Sequence, residues 1–118
     1  MAKRLLALAL SFAIASCGGG DDGPAGPPLV ADGERVFTET CAQCHGRDGV
    51  GIENLGKPLL GSAFVASLSD TELVEFINMG RDSDDPANTT GVDMPARGGR
   101  KLSDQDVVDV AAFVRTIN

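Results

Sequence analysis

The sequence contains no tryptophan and no tyrosine, a single histidine and only five phenylalanines among its 118 residues. A chain of this length forms at most one small domain, and the modest core of such a domain usually needs an additional staple. Basic residues are also scarce, with 10 Lys and Arg against 17 Asp and Glu, which gives a formal net charge of -7. Because that sign repels phosphate, no nucleic-acid partner is expected.

A hydrophobic run long enough to cross a bilayer is also missing. The apolar stretch at residues 5–15 falls short of the roughly 20 residues that a span needs, and it has the length of a secretory signal core behind Lys3 and Arg4. It ends in Ile-Ala-Ser-Cys at residues 14–17, which resembles the lipobox of bacterial lipoproteins. We interpret residues 1–16 as a lipoprotein signal peptide and Cys17 as the lipidation site. Ordinary signal cleavage that leaves a free thiol at Cys17 is the alternative.

Glycine, proline and aspartate dominate the segment GGGDDGPAGPPLV that follows Cys17. This composition cannot bury enough apolar surface to fold. Residues 17–30 are therefore predicted to be the lipidated cysteine and a flexible linker, with a reach on the order of 20 Å. Residues 31–118 are predicted to form the folded domain. The expected localisation is a membrane-anchored lipoprotein that faces the periplasm.

Three helical patterns follow the linker, and no stretch alternates as a strand would, so the predicted fold class is all-α with long loops. The patterns cover residues 33–44, 69–80 and 103–117. Asp32 is the expected N-cap of the first helix. Ser69 and Ser103 open sequences that fit capping boxes in the other two helices, and Gly80 is the expected stop of the second.

The segment CAQCH places Cys41, Cys44 and His45 at positions i, i+3 and i+4, on one face of a helix. A zinc site normally has four protein ligands, and the chain offers no second cluster to complete one. A thioredoxin-like redox pair would adjoin a βαβ pattern, which is absent. The third interpretation is the C-x-x-C-H attachment motif of a c-type haem, in which both thiols bond to the porphyrin and the imidazole binds iron. Export fits this interpretation, and a haem would supply the missing core.

Residues 31–118 resemble a class I monohaem cytochrome c at several further positions. Gly33 and Phe37 precede Cys41 as they do in the N-terminal helix of that family, and Val110 and Phe113 occupy the matching positions of the C-terminal helix. The resemblance implies a cytochrome c-like fold in which three main helices and long loops surround one covalently bound haem c.

The segment GKPLLG at residues 56–61 resembles the Pro-x-Leu loop of the same family. By this match, the carbonyl of Pro58 accepts the Nδ1–H of His45 and fixes the imidazole ring. Leu60 then packs on the haem face. A simple turn role for Pro58 is the alternative.

Two methionines remain after processing, and one of them is expected to bind the other face of the iron. Met94 lies in a loop and precedes Pro95, which resembles the distal-ligand signature of the family. Met79 ends the second helical pattern, where a methionine usually fills the core. The resemblance therefore implies that Met94 is the ligand, with Met79 as a weaker alternative.

An iron held by His45 and Met94 has no open coordination position and an elevated reduction potential. Such a centre favours outer-sphere electron transfer over substrate chemistry. The resemblance thus implies a membrane-tethered one-electron carrier in a periplasmic respiratory chain, with redox proteins as donor and acceptor, and not an enzyme by itself. A fixed haem subunit of a larger oxidoreductase complex is one alternative. A haem sensor or peroxidase-like protein with a weak distal ligand is another.

Basic residues concentrate in the haem-binding and Met-loop segments. They are Arg47, Lys57, Arg97, Arg100 and Lys101. We hypothesise that they form a basic rim that docks acidic partners, with scattered solvated charge as the alternative. The acidic run DSDDPANTTG lacks the spacing of an EF-hand and is expected to be a solvated loop.

Overall fold

The computed structural model describes residues 24–118. The predicted signal peptide, Cys17 and the first part of the linker lie outside the described residues. The helices are α1 (Val30–Val36), α2 (Ala42–His45), α3 (Ala63–Ser67), α4 (Asp70–Met79) and α5 (Asp104–Ile117). A π-helical segment, Phe37–Cys41, joins α1 to α2, and a 3-10 turn, Ala96–Gly99, precedes α5.

The all-α prediction is confirmed, since residues 24–118 contain isolated β-bridges but no strand. No helix in this part of the chain is long and apolar enough to cross a bilayer.

Helices α1 and α5 pack together at the centre of the core. A Cβ added to Gly33 would lie 2.0 Å from the Asp109 carbonyl oxygen, so only glycine allows this close approach. Phe37 is fully buried, and its ring centroid lies 5.2 Å from that of Phe113. The predicted pairing of the two helices is therefore confirmed, with the backbone of Asp109 as the nearest neighbour of Gly33 and Val110 buried beside it.

The start of α1 differs from the prediction, because α5 supplies the contacts that fix it. Leu29 is the N-cap residue, so Asp32 lies inside the first turn and does not cap the helix. The backbone N–H of Leu29 donates to Oδ1 of the buried Asp109, 2.8 Å away, and Gln105 bonds to both Gly26 and Pro27. The domain thus includes residues that the sequence analysis assigned to the linker.

The capping boxes predicted for α4 and α5 are both present. The Ser69 hydroxyl accepts from the backbone N–H of Glu72, and the Glu72 carboxylate accepts from the backbone N–H of Ser69. Hydrogen bonds from the backbone N–H and the hydroxyl of Ser69 to its carboxylate lower the pKa of Glu72. Ser103 and Asp106 form the same reciprocal pair at α5. Gly80 ends α4 with φ of 70°, as predicted.

The C-terminal part of α5 holds the segment that connects the haem motif to α4. Arg115 donates to the carbonyls of Val65 and Leu68, at the C-terminal end of α3, and forms an ion pair with Asp70. Asn118 donates to the carbonyl of Leu59 at 2.8 Å. Helix α3 itself was not predicted from the sequence.

Candidate haem-binding site

The two motif cysteines and the histidine lie on consecutive turns where the helix geometry changes. Cys41 ends the π-helical segment, and Cys44 and His45 lie in α2. The backbone N–H of Ala42 donates to the carbonyl of Phe37, five residues back, which is the π pattern. π-Bulges occur frequently at functional sites.

Both cysteines are free thiols and are partly buried. Burial, with a smaller contribution from the neighbouring Cys44, raises the pKa of the Cys41 thiol to about 11. The two thiols, three residues apart, are the groups that would bond to the two vinyl groups of a haem.

His45 is oriented by a backbone carbonyl, as predicted, but the residue assigned to that carbonyl was wrong. The His45 Nδ1 atom lies 2.7 Å from the carbonyl oxygen of Lys57 and not from that of Pro58. The acceptor is the carbonyl of the peptide bond to proline. A proline restricts the residue before it to extended conformations, which fixes where the Lys57 carbonyl points. With Nδ1 bonded as the donor, Nε2 is the nitrogen that remains for a metal.

Close backbone contacts at two glycines support this orientation. The N–H of Gly51 donates to the His45 carbonyl at 2.7 Å, and a Cβ on Gly51 would lie 2.7 Å from the nitrogen of Pro58. A Cβ on Gly56 would lie 2.1 Å from the carbonyl oxygen of Cys44. The loop after the haem motif therefore folds back directly onto it.

Met94 is held at the C-terminal end of α4. Its backbone N–H and carbonyl both bond to Arg81, at 2.8 Å each, in an antiparallel bridge. A Cβ on Gly80 would lie 2.1 Å from the Met94 carbonyl oxygen, so Gly80 permits the loop to sit against the helix end. Hydrogen bonds from the hydroxyl and the backbone N–H of Ser83 lower the pKa of Asp93 and add a further cross-link beside Met94.

The Arg81 side chain packs against a pair of aromatic rings. Its guanidinium carbon lies 4.9 Å from the ring centroid of Phe64 and 4.8 Å from that of Phe76. The two rings are themselves in edge-to-face contact at 5.1 Å. Cation–π contacts of this kind hold the cation in place, so α3 and α4 together position the residue that pairs with Met94.

Met79 is 73% exposed, so its predicted role as a core residue was wrong. The buried residues of α4 are Leu73 and Ile77, and Met79 points elsewhere because it lies two residues, about 200°, beyond Ile77 on the helix. Leu60 is 54% exposed and lines an open groove with Phe113 and Ile117. Its contact with a haem face stays a prediction.

Arg97 was assigned to the basic rim, but its guanidinium is bonded within the chain. Its guanidinium donates to the carbonyl of Leu102 and forms an ion pair with Asp104, which commits it to the turn before α5. Arg47, Arg100 and Lys101 are exposed and form no ion pair within residues 24–118.

The residues of this site fit a covalently attached haem. The donor set consists of two free thiols, an imidazole with its Nδ1 committed to a carbonyl, and a thioether on an anchored loop. The Asn78 side-chain oxygen is buried without a hydrogen-bond partner in the described part of the chain, which points to a polar partner that the protein does not supply. Large apolar side chains also lie exposed beyond α1. They are Val50, Ile52, Leu60, Phe64, Met79 and Val92.

Residues 24–118 contain no cluster of His, Cys, Asp or Glu side chains suited to a bare metal ion. The acidic run at residues 82–93 forms no such cluster, and its role as a solvated loop stays a prediction. Arg81, Asn88 and the π-helical segment were not found from the sequence, since each acquires its role only through tertiary contacts. The sequence signal for the loop that contacts His45 was the resemblance of GKPLLG at residues 56–61 to the Pro-x-Leu loop.

A family model described as cytochrome c oxidase, cbb3-type, subunit III matches residues 28–114. Because this match covers most of the chain, the protein belongs to that family of c-type cytochrome domains, and its cofactor is haem c. The domain is an electron-transfer cytochrome.

Curated relatives are similar over most of this chain. The cbb3-type cytochrome c oxidase subunit FixP of Bradyrhizobium diazoefficiens is 33% identical over 89 residues, which cover 75% of this chain and 27% of FixP. The cytochrome c subunit of a quinone alcohol dehydrogenase from Gluconobacter oxydans is 34% identical over 70% of this chain and 17% of its own length. Cytochrome c6 of Diacronema lutheri is 30% identical and matches over 92% of its own length.

The chain thus spans about a quarter or less of the larger subunits but nearly all of the small cytochrome. Among solved structures, KustC0563 c-type cytochrome superposes with a TM-score of 0.52 at 24% identity, over 73% of this chain and 96% of that chain. This likeness shows the cytochrome c fold.

Proposed function

We propose that this protein is a membrane-tethered one-electron carrier that faces the periplasm, with Cys17 as its lipid attachment point and residues 18–25 as its tether. Cys41 and Cys44 would hold the haem covalently, and His45 Nε2 and the Met94 thioether would bind the iron. When bound, the haem supplies a centre that cycles between Fe(III) and Fe(II). The single observation that carries the electron-carrier part of the proposal is the hydrogen bond between His45 Nδ1 and the Lys57 carbonyl, 2.7 Å long, which leaves Nε2 for the iron.

The protein groups in this arrangement orient and restrain and do not transfer protons or atoms. The Lys57 carbonyl fixes the imidazole tautomer, and the Arg81 bridge holds the loop of Met94. An iron for which His45 and Met94 leave no open position would exchange electrons without binding a substrate. We infer that the protein makes and breaks no substrate bonds and is not an enzyme by itself.

A second candidate is a fixed haem subunit of a larger oxidoreductase complex. The names of the relatives favour it, because FixP and the Gluconobacter protein are subunits of an oxidase and of a dehydrogenase. The match to cytochrome c6 covers 92% of that protein, so the two chains have a similar domain length, which favours a stand-alone carrier. Purification of the tagged protein from its native membrane separates the two candidates, since a complex subunit brings stoichiometric partners with it.

The tether is tested by the Cys17→Ser variant, expressed with the full leader in a host that matures c-type cytochromes. The wild-type protein is expected in the membrane fraction and the variant in the soluble periplasmic fraction. Haem content is expected to be equal, since residue 17 lies far along the chain from the haem motif. If both proteins are soluble, or both stay in the membrane with residues 1–16 removed, Cys17 is not the anchor.

The basic rim now consists of the residues that form no ion pair. It is tested by the rate at which ferricyanide oxidises the ferrous protein. The double variant Arg100→Glu/Lys101→Glu is expected to react several-fold more slowly than wild type at low salt. The difference should vanish as the Debye length falls to about 3 Å in 1 M salt. Arg35→Glu is a charge-change control on α1, where Arg35 pairs with Glu39. Arg35→Glu makes half the charge change of the double variant, so half the slowing on a logarithmic scale would show that only net charge matters and that the rim is absent.

A further inference from the structure

Asn88 stands at the centre of the loop that leads from α4 to Met94. Its side-chain Nδ2 donates to the carbonyl of Asp82 at 3.0 Å and to the carbonyl of Val92 at 2.8 Å. Asp82 follows Arg81 directly, and Val92 lies two residues before Met94. One amide group therefore joins the two ends of the loop just above the bridge between Arg81 and Met94.

The side-chain oxygen of Asn88 bonds to the part of the loop that leads on to Met94. Asn88 Oδ1 accepts from the backbone N–H groups of Thr90 and Gly91, at 3.0 Å each, and from the Thr90 hydroxyl at 3.1 Å. Both donors and the acceptor of this half-buried side chain are thus used within the loop. Thr90 in turn lines an open groove together with Gly56 and Lys57 of the loop that contacts His45.

Besides the bridge between Arg81 and Met94, the loop has one other cross-link between its ends, the 2.6 Å hydrogen bond from the Ser83 N–H to Asp93 Oδ1, and otherwise only local turns. It contains four aspartates between Arg81 and Met94, and Arg81 pairs with only one of them, Asp85, at 3.7 Å. Repulsion among these carboxylates favours an open loop. Removal of the Asn88 amide would leave two carbonyls and three donors to find other partners, which costs more than a single exposed hydrogen bond.

We propose that Asn88 is a positioning residue for the distal ligand, and that its amide keeps Met94 over the haem iron by tying the loop closed. The proposal rests on the proposed function, in which Met94 is that ligand. Asn88 does not touch the iron. It acts by setting the fraction of time for which the Met94 thioether is in place.

The test measures cyanide affinity of the ferric haem protein, because cyanide binds iron only where Met94 has been displaced. Asn88→Ala is expected to bind cyanide at least tenfold more tightly than wild type, equivalent to about 1.4 kcal/mol of loop closure. Asn88→Asp keeps the acceptor but lacks both donors, and it is expected to change affinity in the same direction. Amide hydrogen exchange at Arg81 and Met94 is expected to quicken by a similar factor in each variant.

Two further variants serve as the reference and the control for this measurement. Met94→Ala sets the affinity of a fully open site. Asn118→Ala is the matched control, because Asn118 also donates from Nδ2 to two backbone carbonyls, of Leu59 and Ser62. It is expected to bind cyanide within about twofold of wild type, well below one factor of ten.

Wild-type affinity and wild-type exchange in Asn88→Ala, alongside tight binding by Met94→Ala, would overturn the role of Asn88 and leave the proposed function intact. Equal tightening by Asn118→Ala would also overturn it, since the effect would then be general loosening. If Met94→Ala binds cyanide no better than wild type, the ligand assignment is wrong and the positioning proposal falls with it.

Discussion

Replacement of Met94 with alanine is expected to lower the reduction potential on the order of 100 mV, within the roughly 0.8 V range over which axial ligands set haem potentials. The reduced variant is also expected to bind carbon monoxide rapidly, whereas the wild-type protein binds it slowly. Both effects follow from the loss of a thioether that stabilises Fe(II) and blocks the sixth position. Potentiometric titration and flash or stopped-flow mixing with carbon monoxide measure them.

Met79→Ala is the matched control for this experiment. Met79 is 73% exposed at the end of α4, whereas Met94 is half-buried and bonded through its backbone to Arg81. The Met79 variant is expected to keep the wild-type potential and slow carbon monoxide binding. If the reduction potential falls in Met79→Ala instead, or changes in neither variant, the assignment of Met94 is refuted. Rapid carbon monoxide binding by the wild-type protein would favour a sensor or peroxidase-like function.

Replacement of Gly33 with alanine is expected to destabilise the folded protein by about 3 kcal/mol, at the upper end of what overpacking costs. In an exposed helix the same change stabilises by roughly 0.5–1 kcal/mol, because glycine has more backbone freedom to lose. Here the added Cβ would lie 2.0 Å from the carbonyl oxygen of Asp109 and 2.5 Å from its carbonyl carbon. Since backbone atoms cannot rotate away, α1 and α5 must separate.

Chemical denaturation of the ferric haem protein measures this loss. For a domain of this size the melting temperature should fall by roughly 10 °C or more. Glu34→Ala, the exposed neighbour on the same helix, is expected to stay within about 0.5 kcal/mol of wild type. A Gly33→Ala protein that is as stable as wild type would show that the two helices are not in the contact described.

Local rules of helix capping explain why α4 and α5 were predictable. Ser69 and Ser103 each make a reciprocal pair with a residue three positions on, so the start of either helix is fixed by four consecutive residues. Gly80 ends α4 by the same kind of local preference. The haem motif was equally readable, because two thiols and an imidazole at helical spacing suit very few kinds of chemistry.

The features that the sequence did not yield depend on contacts between distant segments. Helix α1 begins at Val30 because Asp109 accepts the N–H of Leu29, and nothing near Asp32 signals that. The carbonyl that accepts from His45 is that of Lys57, one residue before the predicted Pro58. The motif indicates which segment lies beside His45, but it does not indicate which carbonyl of that segment points at the ring.

The loop of the proposed distal ligand shows the same limit. The Met-Pro pair predicts Met94 as the ligand, but it does not predict the groups that hold the loop, which are the backbone of Arg81 and the side chains of Asn88 and Asp93. Polar residues in an acidic, glycine-containing loop resemble a solvated connection in any sequence. Only the folded loop shows that one amide bonds to both of its ends.

The most direct test of the central claim is the intact mass of the mature protein, measured in denaturant after production in a host that matures c-type cytochromes. A haem held through Cys41 and Cys44 survives denaturation, so the polypeptide is expected to carry the added mass of one haem. Loss of both thiols in Cys41→Ala/Cys44→Ala should remove that increment. A wild-type polypeptide at its bare sequence mass would contradict the assignment of this chain as a haem c electron carrier.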